Sequence, residues 1–122
     1  MILNNTTIWF IPAIAVALGI FLLSTFLAIP IQLEGVSYVD KIQHCFAYFV
    51  LVLSFLIAFK KSDKLSTKWS YWLLSLASLY GLVLELAQYI FFSHRFFEWV
   101  DAVANVLGVL IGFVVFKLFD RG

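Results

Sequence analysis

Residues 69–93 read WSYWLLSLASLYGLVLELAQYIFFS and carry one formal charge, on Glu85. At a rise of about 1.5 Å per residue, a helix of this length crosses the roughly 30 Å hydrocarbon core of a bilayer. A carboxylate inside such a helix costs about 2.5–3.5 kcal/mol on insertion scales, so Glu85 requires polar partners. The stretch therefore predicts a membrane-spanning helix that contributes to a polar site.

The composition of the whole chain is that of a membrane protein. Of its 122 residues, 64% are hydrophobic and 12% are charged, and the mean hydropathy is +1.05. In soluble domains about a quarter of the residues are charged. We predict helices at about residues 8–29, 42–59, 69–92 and 100–119. Since the sequence shows no repeat and no linker, we expect one unit over residues 1–122, an all-α membrane protein in which four transmembrane helices form a compact bundle.

The basic residues predict the orientation of this bundle. Six of them fall on one side of the predicted helices (Lys60, Lys61, Lys64, Lys68, Lys117 and Arg121) and two on the other (Lys41 and Arg95). By the positive-inside rule both termini are cytoplasmic, in a multi-pass protein of the bacterial cytoplasmic (inner) membrane. The first helix has no basic residue before it, so we expect it to be retained and not cleaved as a signal peptide. A net charge of +1 gives no reason to expect a nucleic-acid partner, and membrane lipids are the expected surroundings.

Helical phase groups the polar residues of three helices. At about 100° per residue, Glu85 and Gln88 share an arc of the third helix, and Asp101 and Asn105 share one of the fourth. Asp40, a fair N-cap for the second helix, lies on the same face as His44. Because a polar group facing lipid is costly, we predict one cavity open to the outer face, with Arg95 at its rim and the first helix as a wall. The side chains expected to point into it are His44, Glu85, Gln88, Asp101 and Asn105.

Small residues extend two of these arcs toward the inner side. Gly81 continues the arc of the third helix, and Gly108 with Gly112 continues that of the fourth. We expect close packing of helix backbones there, within one chain. The Gly108-x-x-x-Gly112 pattern is also typical of a dimer face, so the sequence leaves monomer and homodimer open.

The motifs resemble a known family. They read Asp40-Lys41-x-x-His44-x-x-Ala47-Tyr48, then Tyr80-Gly81-x-x-x-Glu85-x-x-Gln88, then Arg95 ahead of Asp101-x-x-x-Asn105-x-x-Gly108-x-x-x-Gly112. This combination is similar to the VanZ-like family of small bacterial membrane proteins, over about residues 40–112. The resemblance implies a protein of the bacterial cell envelope. It also implies a link to antibiotic resistance, because the family's namesake is associated with low-level resistance to the lipoglycopeptide teicoplanin.

Three hypotheses for the polar residues remain open. In the first, they bind an amphiphile, which would be a lipid headgroup, a cell-wall lipid precursor or a lipoglycopeptide; the candidate binding residues are Asp40, Lys41, Gln88, Arg95 and Asn105. Lys41 and Arg95 would contact a phosphate or a carboxylate. In the second, the residues form a buried network that fixes helix register and has no other role. A proton-coupled transporter fits less well, because four short helices leave little room for alternating access.

The third hypothesis is a hydrolase or transferase that acts at the outer leaflet. Its candidate catalytic residues are His44, Glu85 and Asp101, with Glu85 or His44 as general base and Asp101 orienting the imidazole. The same three side chains suffice for Zn²⁺ with an open coordination position. No short ligand-spacing motif supports a metal, so we assign no metal and no other cofactor. Cys45 is interpreted as a membrane-buried apolar residue.

Overall fold

A computed structural model describes residues 7–25, 37–91 and 99–120 of the chain, and of residues 25 and 37–40 it describes the backbone alone. All regular structure in these ranges is helical. A 3₁₀ turn at Thr7–Trp9 leads into α1 (Phe10–Thr25), followed by α2 (Ser37–Lys61), α3 (Thr67–Phe91) and α4 (Trp99–Phe119).

The four helices are each long and apolar enough to span a membrane. The candidate spans are Thr7–Ser24, Lys41–Lys61, Thr67–Phe91 and Trp99–Phe119. Large apolar side chains cover the outside of the bundle, among them Leu23, Phe46 and Ile90, which are 62%, 64% and 67% exposed. Such a surface suits lipid and not water. The predicted all-α fold with four membrane-spanning helices is confirmed, and the protein is a multi-pass membrane protein; which termini are cytoplasmic stays a prediction.

The helix boundaries differ from the predicted ones mainly at the start of α2. This helix begins at Ser37, so Asp40 is its fourth residue and the prediction of Asp40 as N-cap is wrong. The predicted start was placed at the beginning of the apolar run, and hydropathy does not show that a helix continues through polar residues beyond such a run. Backbone hydrogen bonds let the helix continue outward through polar residues. Residues 26–29 and Phe92, at the ends of two predicted helices, lie outside the described residues.

Local hydrogen bonds explain the tight connection between α2 and α3. Asp63 adopts a left-handed conformation with φ 57°. Its amide donates to the carbonyl of Lys60 at 3.0 Å, and the amide of Lys64 donates to that of Phe59 at 2.9 Å, which is the Schellman pattern that ends a helix. The Ser66 hydroxyl then accepts the amide of Trp69 at 3.1 Å and caps the start of α3.

The most extensive helix contact joins α2 and α4, which run in the same direction. Gly108 packs against the carbonyl oxygen of Cys45, and Gly112 packs against Phe49 and Val52. Both glycines are buried within the chain. The prediction of close intramolecular packing at Gly108 and Gly112 is therefore confirmed, and the dimer-face interpretation of this pattern is not needed.

Among the described residues, two side-chain hydrogen bonds join helix α1 to α3. The Tyr80 hydroxyl donates to the carbonyl of Ala17, and the Gln88 amide donates to the carbonyl of Ser24, each at 2.5 Å. Ser24 belongs to the last turn of α1, where carbonyls lack a partner within the helix. The first helix is thus more than the apolar wall that its sequence predicts.

The two ends of the bundle have different chemistry. At one end, which we call the site end, Lys41 of α2 pairs with Asp101 of α4. At the opposite end, Lys60 of α2 pairs with Asp120 just after α4. Both pairs join a lysine of α2 to an aspartate of the α4 segment, and the Lys60–Asp120 pair is the more exposed of the two. The second pair therefore provides control positions for experiments on the first.

Candidate functional site

His44 lies between two carboxylates at the site end. Its Nδ1 atom is 3.9 Å from Oε1 of Glu85 on α3, and its Nε2 atom is 3.8 Å from Oδ2 of Asp101 on α4. Three helices therefore meet at one imidazole. Both separations are ion-pair distances, longer than a direct hydrogen bond. An imidazole held between carboxylates can exchange a proton or share a cation with them.

Lys41 adds a positive charge to this group. It lies one turn before His44 on α2, and its ammonium donates to Oδ1 of Asp101. The two oxygens of Asp101 thus face different partners, Oδ1 the ammonium and Oδ2 the imidazole. The side chains of Lys41 and Asp101 are 17% and 11% exposed, so the pair is largely shielded from solvent.

Glu85 is the most deeply placed charge of the group. It is 5% exposed and faces the interior from the buried stripe of α3 that also contains Gly81 and Gln88. The helical phases of Glu85, His44 and Asp101 predicted this meeting from the sequence. The structure brings these three together with Lys41, whereas their binding and catalytic roles remain predictions. We call these four residues the site cluster.

Asn105 lies one turn beyond Asp101 on α4 and is 1% exposed. Its side-chain nitrogen and oxygen have no hydrogen-bond partner among the residues that the structure describes. A methyl group on Gly81 of α3 would lie 2.9 Å from the Asn105 amide nitrogen and 3.1 Å from the ring of Tyr48. The absence of a side chain at Gly81 therefore makes room for Asn105, and a buried amide of this kind normally has a polar partner.

Tyr48 is a residue of this region that was not among the predicted site residues. It is 3% exposed, and its ring centroid lies 6.4 Å from that of Tyr80. Its spacing of four residues from His44 places it on the same face of α2, which was the signal available in the sequence.

Other predicted site residues are placed differently or are not described. Gln88 is buried and binds Ser24 of α1, so its amide fixes α1 against α3. Arg95, expected at the rim, lies outside the described residues, as does the side chain of Asp40. A cavity of about 240 Å³ beside α1 is apolar and contains none of the predicted site residues; it is lined by Ala17, Leu51, Val52, Phe55, Leu73, Leu76, Ala77 and Tyr80.

The site cluster also has the donor atoms of a cation site. One nitrogen of His44 and one oxygen each of Glu85 and Asp101 all lie within 4.8 Å of one another. These donors come from three different helices, so their proximity depends on the fold and not on a local motif.

Comparison with known proteins identifies the family of the chain. No curated protein and no solved structure matches it. The sequence model of the VanZ/LLP1 family matches residues 3–120, nearly the whole of the 122 residues. The match includes every helix and every member of the site cluster. The chain therefore belongs to the VanZ/LLP1 family.

Proposed function

We propose that the protein binds the polar head of an amphiphile at the site cluster and accommodates its apolar part along the lipid-facing surface of the same end. The observation that carries the proposal is the meeting of Lys41, His44, Glu85 and Asp101 within helices otherwise suited to lipid. Charged groups in a membrane span are costly and typically mark a binding or transport site.

The polar end of the site accounts for recognition of a headgroup. Lys41 and His44 are the more accessible members of the site cluster, with side chains 17% and 21% exposed. An ammonium has three N–H donors, so Lys41 can donate to a phosphate or carboxylate oxygen in addition to Asp101. In this proposal Arg95 contributes a second cation, Asp40 and Asn105 supply further polar contacts, and Gln88 supports the site through α1.

The apolar surroundings account for binding of a hydrophobic tail. Ile42 and Phe46 flank His44 on α2 and are 66% and 64% exposed. Phe91 at the end of α3 and Trp99 at the start of α4 are 78% and 71% exposed. Aromatic and aliphatic side chains at one end of a bundle provide contact area for an acyl chain or a ring system.

The biological setting of the proposal is the bacterial cell envelope. We propose that the protein lies in the cytoplasmic membrane with both termini inside, which puts the site end at the outer leaflet. The ligand is a lipid headgroup, a lipid-linked cell-wall precursor or a lipoglycopeptide. Binding of a lipoglycopeptide or its target there would lower teicoplanin susceptibility, as the association of the family's namesake with teicoplanin resistance suggests.

A pair of matched lysine variants tests the proposal. Protein reconstituted in nanodiscs is titrated with fluorescent teicoplanin and with an undecaprenyl-linked cell-wall precursor. Lys41→Gln should weaken binding of at least one probe about tenfold or more, because it removes a charge-assisted contact. Lys60→Gln removes the lysine charge of the ion pair at the opposite end and should leave binding unchanged. Equal affinities for both variants and the wild type would contradict the proposal.

Susceptibility measurements extend the test to cells. Expression in a teicoplanin-susceptible Gram-positive host should raise the inhibitory concentration of teicoplanin, and Lys41→Gln should abolish the increase at equal protein levels. If Lys41→Gln raises the inhibitory concentration as much as the wild type does, resistance does not depend on the site cluster.

A second candidate function is an outer-leaflet hydrolase or transferase, favoured by the position of His44 between two carboxylates. Such a site can supply a general base and a group that orients it. Glu85→Gln would then abolish turnover of the amphiphile and preserve its binding. If the cluster is structural only, Glu85→Gln lowers thermal stability, and neither turnover nor binding of an amphiphile depends on Glu85.

A further inference from the structure

We propose that His44, Glu85 and Asp101 form a binding site for one divalent transition-metal ion of the Zn²⁺ type. The proposal goes beyond amphiphile binding and does not depend on it. It rests on the geometry of the three donors, on their charge and on the neighbouring amide of Asn105.

The geometry is close to that of a three-ligand metal site. Ligands bound to Zn²⁺ at about 2.0–2.2 Å in a tetrahedron are separated from one another by about 3.4 Å. One nitrogen of His44 and one oxygen each of Glu85 and Asp101 all lie within 4.8 Å of one another. The imidazole faces Glu85 through Nδ1 and Asp101 through Nε2, and only one of these nitrogens would bind the ion. Side-chain rotations that draw these three donor atoms closer together would bring them into a common coordination sphere.

The donor set suits a catalytic or labile metal site. One imidazole with two carboxylates is a combination that binds Zn²⁺, Fe²⁺ or Mn²⁺, and three protein ligands leave a coordination position open. Calcium is disfavoured because it takes six to eight oxygen ligands. No short ligand-spacing motif supported a metal at these residues, since the ligands are 41 and 16 residues apart in the chain. The packing of α2, α3 and α4 brings the three ligands together although they are far apart in the sequence.

The charges of the site cluster also favour a dication. Two carboxylates lie close together in a poorly hydrated region, and Lys41 compensates one of them through Oδ1 of Asp101. Oδ2 of Asp101 faces His44, so a cation can bind there while the ion pair persists. With neutral His44, one dication leaves the cluster at a net charge of +1, which an anionic ligand in the open position neutralises. The competing arrangement is a metal-free imidazolium between the carboxylates.

Asn105 is the independent observation that points to a ligand. It lies one turn from Asp101, packs against Gly81 one turn from Glu85, and is 1% exposed. Neither its amide nitrogen nor its oxygen has a hydrogen-bond partner within the described part of the chain. A buried amide requires a polar partner. A water or anion bound to the metal would supply that partner to Asn105.

Cobalt and zinc binding test the proposal directly. Detergent-solubilised wild-type protein, stripped with a chelator, should bind about one Co²⁺ or Zn²⁺ per chain in equilibrium dialysis. His44→Gln, Glu85→Gln and Asp101→Asn should each weaken binding at least about tenfold, since loss of a supporting residue alone often costs 10–100-fold. Asp120→Asn is the matched control, because Asp120 also pairs with a lysine but at the opposite end, and its affinity should equal that of the wild type.

One variant keeps the test informative if the others fold poorly. His44→Cys replaces the imidazole with a thiolate ligand, so the cobalt-loaded variant should gain a thiolate-to-metal charge-transfer band that the wild type lacks. Wild-type protein that binds no metal, unchanged affinity in all three ligand variants, or cobalt binding by His44→Cys without this band would each overturn the proposal. Teicoplanin titration in the presence of a chelator separates the two functions, because amphiphile binding that survives there leaves the proposed function intact.

Discussion

Replacing Gly108 with alanine places a methyl carbon so close to the carbonyl oxygen of Cys45 that the two atoms overlap sterically. This oxygen is a backbone atom of α2, so no rotamer change can move it. Helices α2 and α4 must separate to accept the methyl group. Overpacking of this kind costs about 1–3 kcal/mol. A glycine-to-alanine change also raises helix propensity by up to about 1 kcal/mol, which partly offsets that cost.

A second glycine isolates the packing effect. In the described part of the chain, no atom beyond the adjoining residues and backbone of α1 lies within 4 Å of the position that a Cβ of Gly19 would occupy, so Gly19→Ala gains the propensity without the overlap. The difference in unfolding free energy between the two variants is therefore the packing contribution. We expect Gly108→Ala to be less stable than Gly19→Ala by about 1–3 kcal/mol. Unfolding by sodium dodecyl sulfate in mixed micelles, followed by circular dichroism, measures both variants under one condition. Equal stability of Gly108→Ala and Gly19→Ala would refute the close approach of α2 and α4 at Cys45.

Three further predictions follow from other parts of the molecule. In a Cys45→Ser background, a cysteine replacing Lys64 should be protected from an impermeant thiol reagent in intact cells and one replacing Gly35 should react; the reverse pattern would invert the predicted orientation. Tyr80→Phe removes the hydrogen bond to Ala17 and should lower stability by about 0.5–1.5 kcal/mol, whereas Tyr89→Phe, at a residue 53% exposed, should not, and equal melting of the two would argue against the bond. Asn105→Leu removes a buried amide without a described partner and should leave stability unchanged or higher while weakening amphiphile binding, whereas a large loss of stability would mean that the amide has a structural partner.

Much of the fold and the core of the site followed from local properties of the sequence. The lengths of the apolar segments predicted four membrane-spanning helices, because the thickness of the bilayer sets the length that such a helix needs. The cost of a polar group in lipid, combined with helical phase, predicted that His44, Glu85 and Asp101 would meet. The same phase put Gly108 and Gly112 on the arc of Asp101, which is why they were expected to pack inside the bundle.

The features that the sequence did not predict depend on pairings between helices. Lys41 was expected to contact a ligand, and its ion pair with Asp101 depends on the parallel packing of α2 and α4. The acceptors of Tyr80 and Gln88 are backbone carbonyls of α1, which no residue type signals. The start of α2 was misplaced because hydropathy marks the hydrocarbon boundary and not the end of a helix.

Photo-crosslinking tests the central claim most directly. Wild-type protein in nanodiscs is irradiated with a photoactivatable teicoplanin derivative and, separately, with a photoactivatable undecaprenyl-linked precursor, and the modified peptides are mapped by mass spectrometry. We predict that at least one probe labels residues 41–46 and 99–105, around Lys41, His44 and Asp101, and that excess unlabelled ligand suppresses this labelling. Labelling confined to the opposite end near Lys60 and Asp120, or spread evenly over the lipid-facing surface, would contradict an amphiphile site at the site cluster.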